Sequence, residues 1–107
     1  MSKELEVEPV EVARLLKEKT IRLLDVRTTG EYAIAHIEGG VLVDQAMVDE
    51  ILGSWPKDSE IVTMCHHGIR SLDAAMFLRG QGFQNVRSMR GGIELWTATV
   101  DPKVPRY

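Results

Sequence analysis

The chain has a single cysteine, Cys65, among its 107 residues. An internal disulfide is therefore impossible, and one free thiol fits a reducing compartment best. No stretch approaches the roughly 18–20 apolar residues of a membrane span. The N-terminal segment MSKELEVEPVEV has four glutamates and no apolar run of the kind that opens a secretory signal. These absences predict a cytoplasmic protein with no membrane partner.

Aromatic residues are scarce too, at 6% of the chain, and there is no excess of basic residues. The formal net charge of −3 opposes the phosphate neutralisation that dominates nucleic-acid binding, so we expect no nucleic-acid partner. An apolar fraction of 44% and a charged fraction of 27% are ordinary for a folded domain. Since no repeat or Ser/Pro-rich linker divides the chain, we expect one domain over residues 1–107, with an irregular tail over 101–107.

The charge is unevenly distributed along the chain. Residues 64–90 contain a single acidic side chain, Asp73, and four arginines: Arg70, Arg79, Arg87 and Arg90. Two interpretations are open. The arginines are ordinary surface scatter, or they create a positive field around Cys65 that attracts small anions.

Short β-rich runs alternate with amphipathic stretches along the whole chain. The pattern predicts strands at residues 5–7, 21–26, 41–43, 61–64 and 86–89. It predicts helices at about 9–19, from 28 or 29 onward, at 45–53, at 70–80, and around Ile93 and Trp96. Alternating strands and helices imply right-handed crossovers, so we predict an α/β fold with a mostly parallel five-stranded sheet covered on both faces.

Cys65 follows a predicted apolar strand and precedes a predicted helix, at the sheet edge where α/β proteins bind ligands. Between strand and helix lies the loop Cys65–Ser71 (CHHGIRS). Inward-facing backbone N–H groups and the helix N-terminus would stabilise a thiolate there. Gly68 permits a conformation that other residues resist, and Arg70 offers a planar donor fork for an oxyanion. The competing interpretation is a buried structural cysteine.

Three ordered motifs resemble the rhodanese-like sulfurtransferases. The loop C-x-x-G-x-R-S at Cys65–Ser71 resembles the family's active-site loop. The segment LDVR at 24–27, with Glu31-Tyr32 and H-I-x-G at 36–39, resembles its first signature. The pairs Gly82-Phe83 and Gly91-Gly92, the latter followed by Trp96, resemble its closing signature. The likeness spans residues 5–100 and implies a three-layer α/β/α fold.

The resemblance implies an enzyme that needs no cofactor and moves sulfane sulfur through a persulfide on Cys65. The partners it implies are a small anionic donor, such as thiosulfate, and a thiol or protein acceptor. A second hypothesis is a sulfur-relay or regulatory module that passes sulfur only to a partner protein. A third is a small phosphatase or arsenate reductase, which four residues between Cys65 and Arg70 disfavour, since related phosphatases have five.

The resemblance assigns Cys65 as the catalytic residue and His66, His67, Gly68, Ile69, Arg70 and Ser71 as the substrate-binding loop. From their place at the end of a strand, Asp25 and Arg27 are expected to support that loop, with Arg27 paired to Glu31 at helical spacing. Adjacent histidines do not readily converge on one ion, so we predict no metal site. His36 is expected to be a packing residue, and Trp96 to anchor the last helix in the core.

Overall fold

A five-stranded parallel sheet forms the centre of the protein. The structure, a computed structural model, describes residues 4–107. The strands are β1 (Glu6–Val7), β2 (Arg22–Asp25), β3 (Gly40–Leu42), β4 (Glu60–Met64) and β5 (Asn85–Met89). The helices are α1 (Pro9–Glu18), α2 (Thr29–Ile34), α3 (Gln45–Ser54), α4 (Ile69–Gly80) and α5 (Gly92–Thr99). The strand order is β1-β5-β4-β2-β3, and every neighbouring pair is parallel.

Alternating side chains of the inner strands β2 and β4 are buried on opposite faces of the sheet, as their continuous apolar runs require. Leu23 of β2 and Val62 of β4 join one core with residues of α1 and α5. Their neighbours Leu24 and Ile61 join a second core with residues of α3 and α4. The sheet is thus the middle of three layers, which confirms the predicted α/β/α fold.

Local sequence explains several helix boundaries. Pro9 begins α1, where its missing N–H costs nothing. Thr28 and Glu31 form a capping box at the start of α2. Asp44, to which the sequence analysis gave no role, caps α3 by accepting a hydrogen bond from the Met47 N–H. In the part of the chain described, no helix is both long and apolar enough to cross a membrane.

The carboxyl edge of the sheet brings distant parts of the chain together. Asp25, the last residue of β2, lies beside Met64, the last residue of β4. Strand β4 continues directly into Cys65 and lies next to β2; the chain leaves β2 toward β3 and leaves β4 toward β5, in opposite directions along the sheet. Such a divergence leaves a crevice at the strand ends. The thiol therefore lies where the fold class places ligands.

The C-terminal tail (Asp101–Tyr107) has no helix or strand, as expected, but its course is fixed by packing. Val104 packs against the core formed with α1 and α5. The side chain of Arg106 is ion-paired with Glu94 of α5. The tail ends with Tyr107 against His66, next to the thiol. It thereby returns to the carboxyl edge of the sheet.

Candidate active site

Hydrogen-bond donors from the start of α4 converge on Sγ of Cys65. The backbone N–H of Gly68 lies 3.1 Å from Sγ, and that of Ser71 lies 3.3 Å from it. The hydroxyl oxygen of Ser71 is 3.4 Å from the same sulfur. Burial raises the pKa of the Cys65 thiol, but the hydroxyl of Ser71 and the N–H groups of Ser71, Gly68 and His67 outweigh it. The net effect is a lowered pKa, which favours the reactive thiolate.

A second hydroxyl supports the first. Ser88, on β5, lies 2.8 Å from the Ser71 hydroxyl, and both serines are fully buried. A thiolate can only accept hydrogen bonds, so the Ser71 hydroxyl donates to Sγ in that state and accepts from Ser88. Ser88 is not predicted from the sequence, because nothing in the sequence of β5 distinguishes it from an ordinary strand serine.

The first turn of α5 holds the loop in the shape that directs its N–H groups inward. The N–H of Ile93 donates to the Cys65 carbonyl at 2.8 Å, and that of Glu94 donates to the His66 carbonyl at 3.1 Å. Gly68 has a φ of +96°, the left-handed conformation expected of it. At Gly92, φ is +63°, and a Cβ would lie 2.3 Å from the His66 oxygen. The closing Gly-Gly motif thus allows α5 to approach the loop backbone.

Arg70 is engaged by a carboxylate rather than directed freely into the site. Its guanidinium forms two hydrogen bonds with Glu31, at 2.7 and 2.9 Å. These bonds hold the pKa of Glu31 far below its usual range, although burial opposes them. The predicted pairing of Arg27 with Glu31 is therefore wrong. Thr28 is the N-cap of α2, so Arg27 precedes the helix and does not share its i,i+4 geometry.

Arg27 instead forms a buried ion pair with Asp25. Its side chain is 0% exposed, that of Asp25 is 2% exposed, and the closest N–O distance is 2.7 Å. Arg27 also donates to the Ala35 carbonyl at 2.7 Å and to the Tyr107 hydroxyl at 2.9 Å. Burial lowers the pKa of Arg27, but its bonds to Asp25 and Tyr107 leave the pKa raised. The pair therefore links the end of β2 to α2 and to the tail.

Three stacked aromatic rings, those of His66, His67 and Tyr107, lie at the cysteine loop and define what we call the mouth of the site. The rings of His66 and His67 stack at 3.9 Å between centroids, and the Tyr107 ring stacks on His66, also at 3.9 Å. Burial lowers the pKa of His66, and the neighbouring His67 lowers it further, so the neutral ring is favoured. A neutral His66 ring presents the face of an uncharged imidazole, rather than a positive charge, to an incoming molecule.

His66, His67 and the carboxylate of Glu94 lie close enough together to be considered as a metal site. In residues 4–107, ligand atoms of His66, His67 and Glu94 lie within 4.8 Å of one another. The imidazole planes are only 20° apart, however, so their in-plane lone pairs are not directed at a common point. Glu94 is also paired with Arg106. This arrangement does not match the tetrahedral geometry that zinc requires.

The remaining predicted residues differ in how far they are exposed to solvent. The side chain of Ile69 is 73% exposed, and His67 is exposed as well. His36 is exposed and stacks on Tyr32, so it does not pack in the core as expected. Trp96 is buried in the core beside α1, as expected. The sequence indicated one loop from Cys65 to Ser71. It did not distinguish the side chains that face the sulfur from those that face solvent.

Comparison with known proteins identifies the class of this fold and loop. The family model of the rhodanese-like domain matches residues 8–99. The thiosulfate sulfurtransferase GlpE of Pseudomonas fluorescens (strain Pf-5) is 36% identical over 91 residues, which cover 85% of this chain and 84% of that protein. The GlpE of Pseudomonas savastanoi pv. phaseolicola is 38% identical over 91 residues, covering 85% and 86%. The chain belongs to the rhodanese-like domain family, as the sequence motifs predicted.

Solved structures share the fold. The human single-domain sulfurtransferase TSTD1 superposes with a TM-score of 0.79 at 23% identity, covering 91% of this chain and 98% of that one. The rhodanese-like domain of an Anabaena protein gives a TM-score of 0.78 at 25% identity, covering 92% and 76%. Both superpositions extend over nine-tenths of this chain and show that its fold is shared with them.

Proposed function

We propose that this protein is a thiosulfate sulfurtransferase that carries sulfane sulfur as a persulfide on Cys65. The observation that carries the proposal is the convergence of two N–H groups and the Ser71 hydroxyl on Sγ. The same donors that favour a thiolate also stabilise negative charge on a bound sulfur atom. Similarity to the GlpE thiosulfate sulfurtransferases supports this choice of donor.

The proposed reaction has two displacement steps. In the first, the Cys65 thiolate attacks the outer sulfur of thiosulfate; a Cys–S bond forms, the S–S bond of thiosulfate breaks, and sulfite leaves with the bonding electron pair. In the second, a thiolate or cyanide attacks the terminal sulfur of the persulfide. Cys65 then leaves as the thiolate, and the acceptor carries the sulfur. The cycle needs no metal and no external oxidant.

The size of the loop favours sulfur over a phosphoryl group. Four residues separate Cys65 from Arg70, and the N–H groups of Gly68 and Ser71 already lie within 3.3 Å of a single sulfur. So small a ring of donors suits one further sulfur atom better than a tetrahedral group with three peripheral oxygens. A cytoplasmic location belongs to the same proposal, since a reducing compartment keeps the thiol of Cys65 free.

The test is a direct search for the persulfide. Incubation with thiosulfate should add the mass of one sulfur atom to the intact protein, and cyanide should remove it with release of thiocyanate. Because Cys65 is the only cysteine, any covalent sulfur adduct must be located there. Cys65→Ser should lose both the adduct and turnover while it keeps the far-UV circular dichroism of the wild type.

The outcomes separate the hypotheses. Persulfide formation without turnover to cyanide or small thiols would identify a relay module that serves a partner protein. If the wild type gained no sulfur from thiosulfate or from a small persulfide donor, the proposed activity would be refuted. Hydrolysis of an aryl phosphate or reduction of arsenate would then indicate the third class.

A further inference from the structure

Tyr107 makes three contacts at the mouth of the site, although it lies outside the matched family region of residues 8–99. Its ring stacks on the imidazole of His66 with an interplanar angle of 18°. Its hydroxyl accepts a hydrogen bond from Arg27 at 2.9 Å and donates one to Glu31 at 2.7 Å. The tyrosine is therefore fixed both at its ring and at its polar end.

The hydroxyl contact extends to the loop arginine. Glu31 receives the Tyr107 hydroxyl on the same oxygen, Oε2, that accepts from Arg70. Tyr107, Glu31 and Arg70 thus form a continuous hydrogen-bonded chain across the mouth of the site. This hydrogen-bonded network is joined to the buried ion pair of Arg27 and Asp25, because Arg27 donates to the Tyr107 hydroxyl. Such a network holds the tail residue in one position.

Cys65 is closed off in this arrangement. The residue is 1% exposed, so no donor reaches Sγ unless a neighbouring group moves. The loop backbone is fixed by α5, and Asp25 and Arg27 are buried. Tyr107, by contrast, is 37% exposed and belongs to a segment without helix or strand. His67 and Arg70 are exposed as well, but they belong to the loop, whereas Tyr107 lies outside both the loop and the sheet. Its ring can therefore turn away from His66 without moving either of them.

We propose that Tyr107 is a specificity-determining residue that limits the size of the sulfur donor reaching Cys65. A small donor such as thiosulfate enters with a slight movement of the ring. A donor with a bulky substituent requires Tyr107 to leave both His66 and Glu31. The inference rests on the proposed function, since it concerns the donor of that reaction.

Two donors with the same transferable sulfur test the proposal. Benzenethiosulfonate has a phenyl ring in place of one thiosulfate oxygen and releases benzenesulfinate as thiosulfate releases sulfite. In Tyr107→Ala, we expect kcat/KM for benzenethiosulfonate, divided by that for thiosulfate, to rise about tenfold or more. Tyr107→Phe keeps the ring but loses both hydrogen bonds, so its ratio should fall between those of the wild type and Tyr107→Ala.

The ratio of the two kcat/KM values distinguishes a residue that selects donors by size from one that only stabilises the fold. Partial unfolding lowers the rates with both donors equally and leaves their ratio unchanged. Tyr32→Ala is the matched control, because Tyr32 also stacks on a histidine, His36, but is not hydrogen-bonded to the loop; its ratio should equal that of the wild type. A Tyr107→Ala ratio within about twofold of the wild type would overturn the proposal.

A measurement without sulfur transfer separates failure of this inference from failure of the proposed function. Alkylation of Cys65 by N-phenylmaleimide, compared with alkylation by iodoacetamide, reports size-dependent access alone. Tyr107→Ala should accelerate the bulky reagent about tenfold more than the small one. This result does not depend on thiosulfate being a donor. Equal acceleration of the two reagents would refute selection by size at Tyr107 even if the enzyme is active.

Discussion

Ser71 contributes both its N–H and its hydroxyl to Sγ of Cys65, and the hydroxyl is a main cause of the lowered pKa of the thiol. Ser71→Ala removes the hydroxyl alone. The pKa of Cys65 should rise, so the pH profile of alkylation by iodoacetamide should move to higher pH. At neutral pH the rate should fall roughly fivefold, the equivalent of about 1 kcal/mol for one hydrogen bond.

Ser88→Ala is the control for this substitution. It removes the hydroxyl that contacts Ser71 but leaves both of the contacts that Ser71 makes with the sulfur. Its alkylation profile should move in the same direction by a smaller amount. A Ser71→Ala profile that coincides with that of the wild type would contradict a role for the hydroxyl in favouring the thiolate.

The ion pair of Arg27 with Asp25 is a stability element because both side chains are almost wholly buried. Arg27→Met leaves the Asp25 carboxylate buried without its cation. The free energy of unfolding should therefore fall by about 3–5 kcal/mol, measured by urea denaturation. Arg14→Met removes an exposed helix arginine that is also ion-paired, and should change stability little. A loss below about 1 kcal/mol in Arg27→Met would refute this role.

The residue pairs that sequence analysis missed are distant along the chain. Ser71 and Ser88 are 17 residues apart, Arg70 and Glu31 are 39 apart, and Tyr107 and Glu31 are 76 apart. Sequence spacing identifies neighbours on one helix or strand, whereas these partners meet only after the sheet has formed. Cys65, Gly68 and Ser71, by contrast, are close in sequence, and a single strand–loop–helix segment brings them into contact.

Among the helices and strands, the alternating pattern predicted all ten elements. The signal is clearest for β2, β4 and β5, whose consecutive residues are buried on both faces of the sheet. The pattern did not predict which helix termini touch the loop. The contact of α5 with the loop carbonyls depends on Gly92, where a side chain would meet the His66 oxygen. The spatial reason for the Gly-Gly pair therefore became visible only in the structure.

Gly92→Ala tests the contact between these two elements. The positive φ and the short distance to the His66 oxygen force the loop to move, and the N–H groups then no longer converge on Sγ. We expect kcat/KM for thiosulfate to fall at least about tenfold while far-UV circular dichroism is retained. Gly53→Ala, at a helix position with open space around the new Cβ, should keep full activity. Wild-type turnover in Gly92→Ala would show that the loop tolerates displacement.

The arrangement of charge in the folded molecule bears on the two interpretations of the arginine-rich segment, surface scatter or a positive field at the thiol. Residues 64–90 hold four arginines and one acidic residue, against a net charge of −3 for the chain. In the folded chain Arg70 is paired with Glu31, Arg90 with Glu8, and Arg106 of the tail with Glu94. All three acidic partners come from other elements of the fold. The charge of Arg70, which lies in the cysteine loop, is therefore compensated by Glu31.

Balanced charge has a kinetic consequence for an anionic donor. Long-range attraction by a positive field would make kcat/KM for thiosulfate fall steeply with salt. With Arg70 paired to Glu31, raising the ionic strength from about 20 mM to about 200 mM should lower kcat/KM by less than about threefold. Glu31→Gln leaves the charge of Arg70 uncompensated, so it should raise kcat/KM at low salt and make the decline with salt steeper. A tenfold or steeper decline in the wild type would contradict the balance inferred from these pairs.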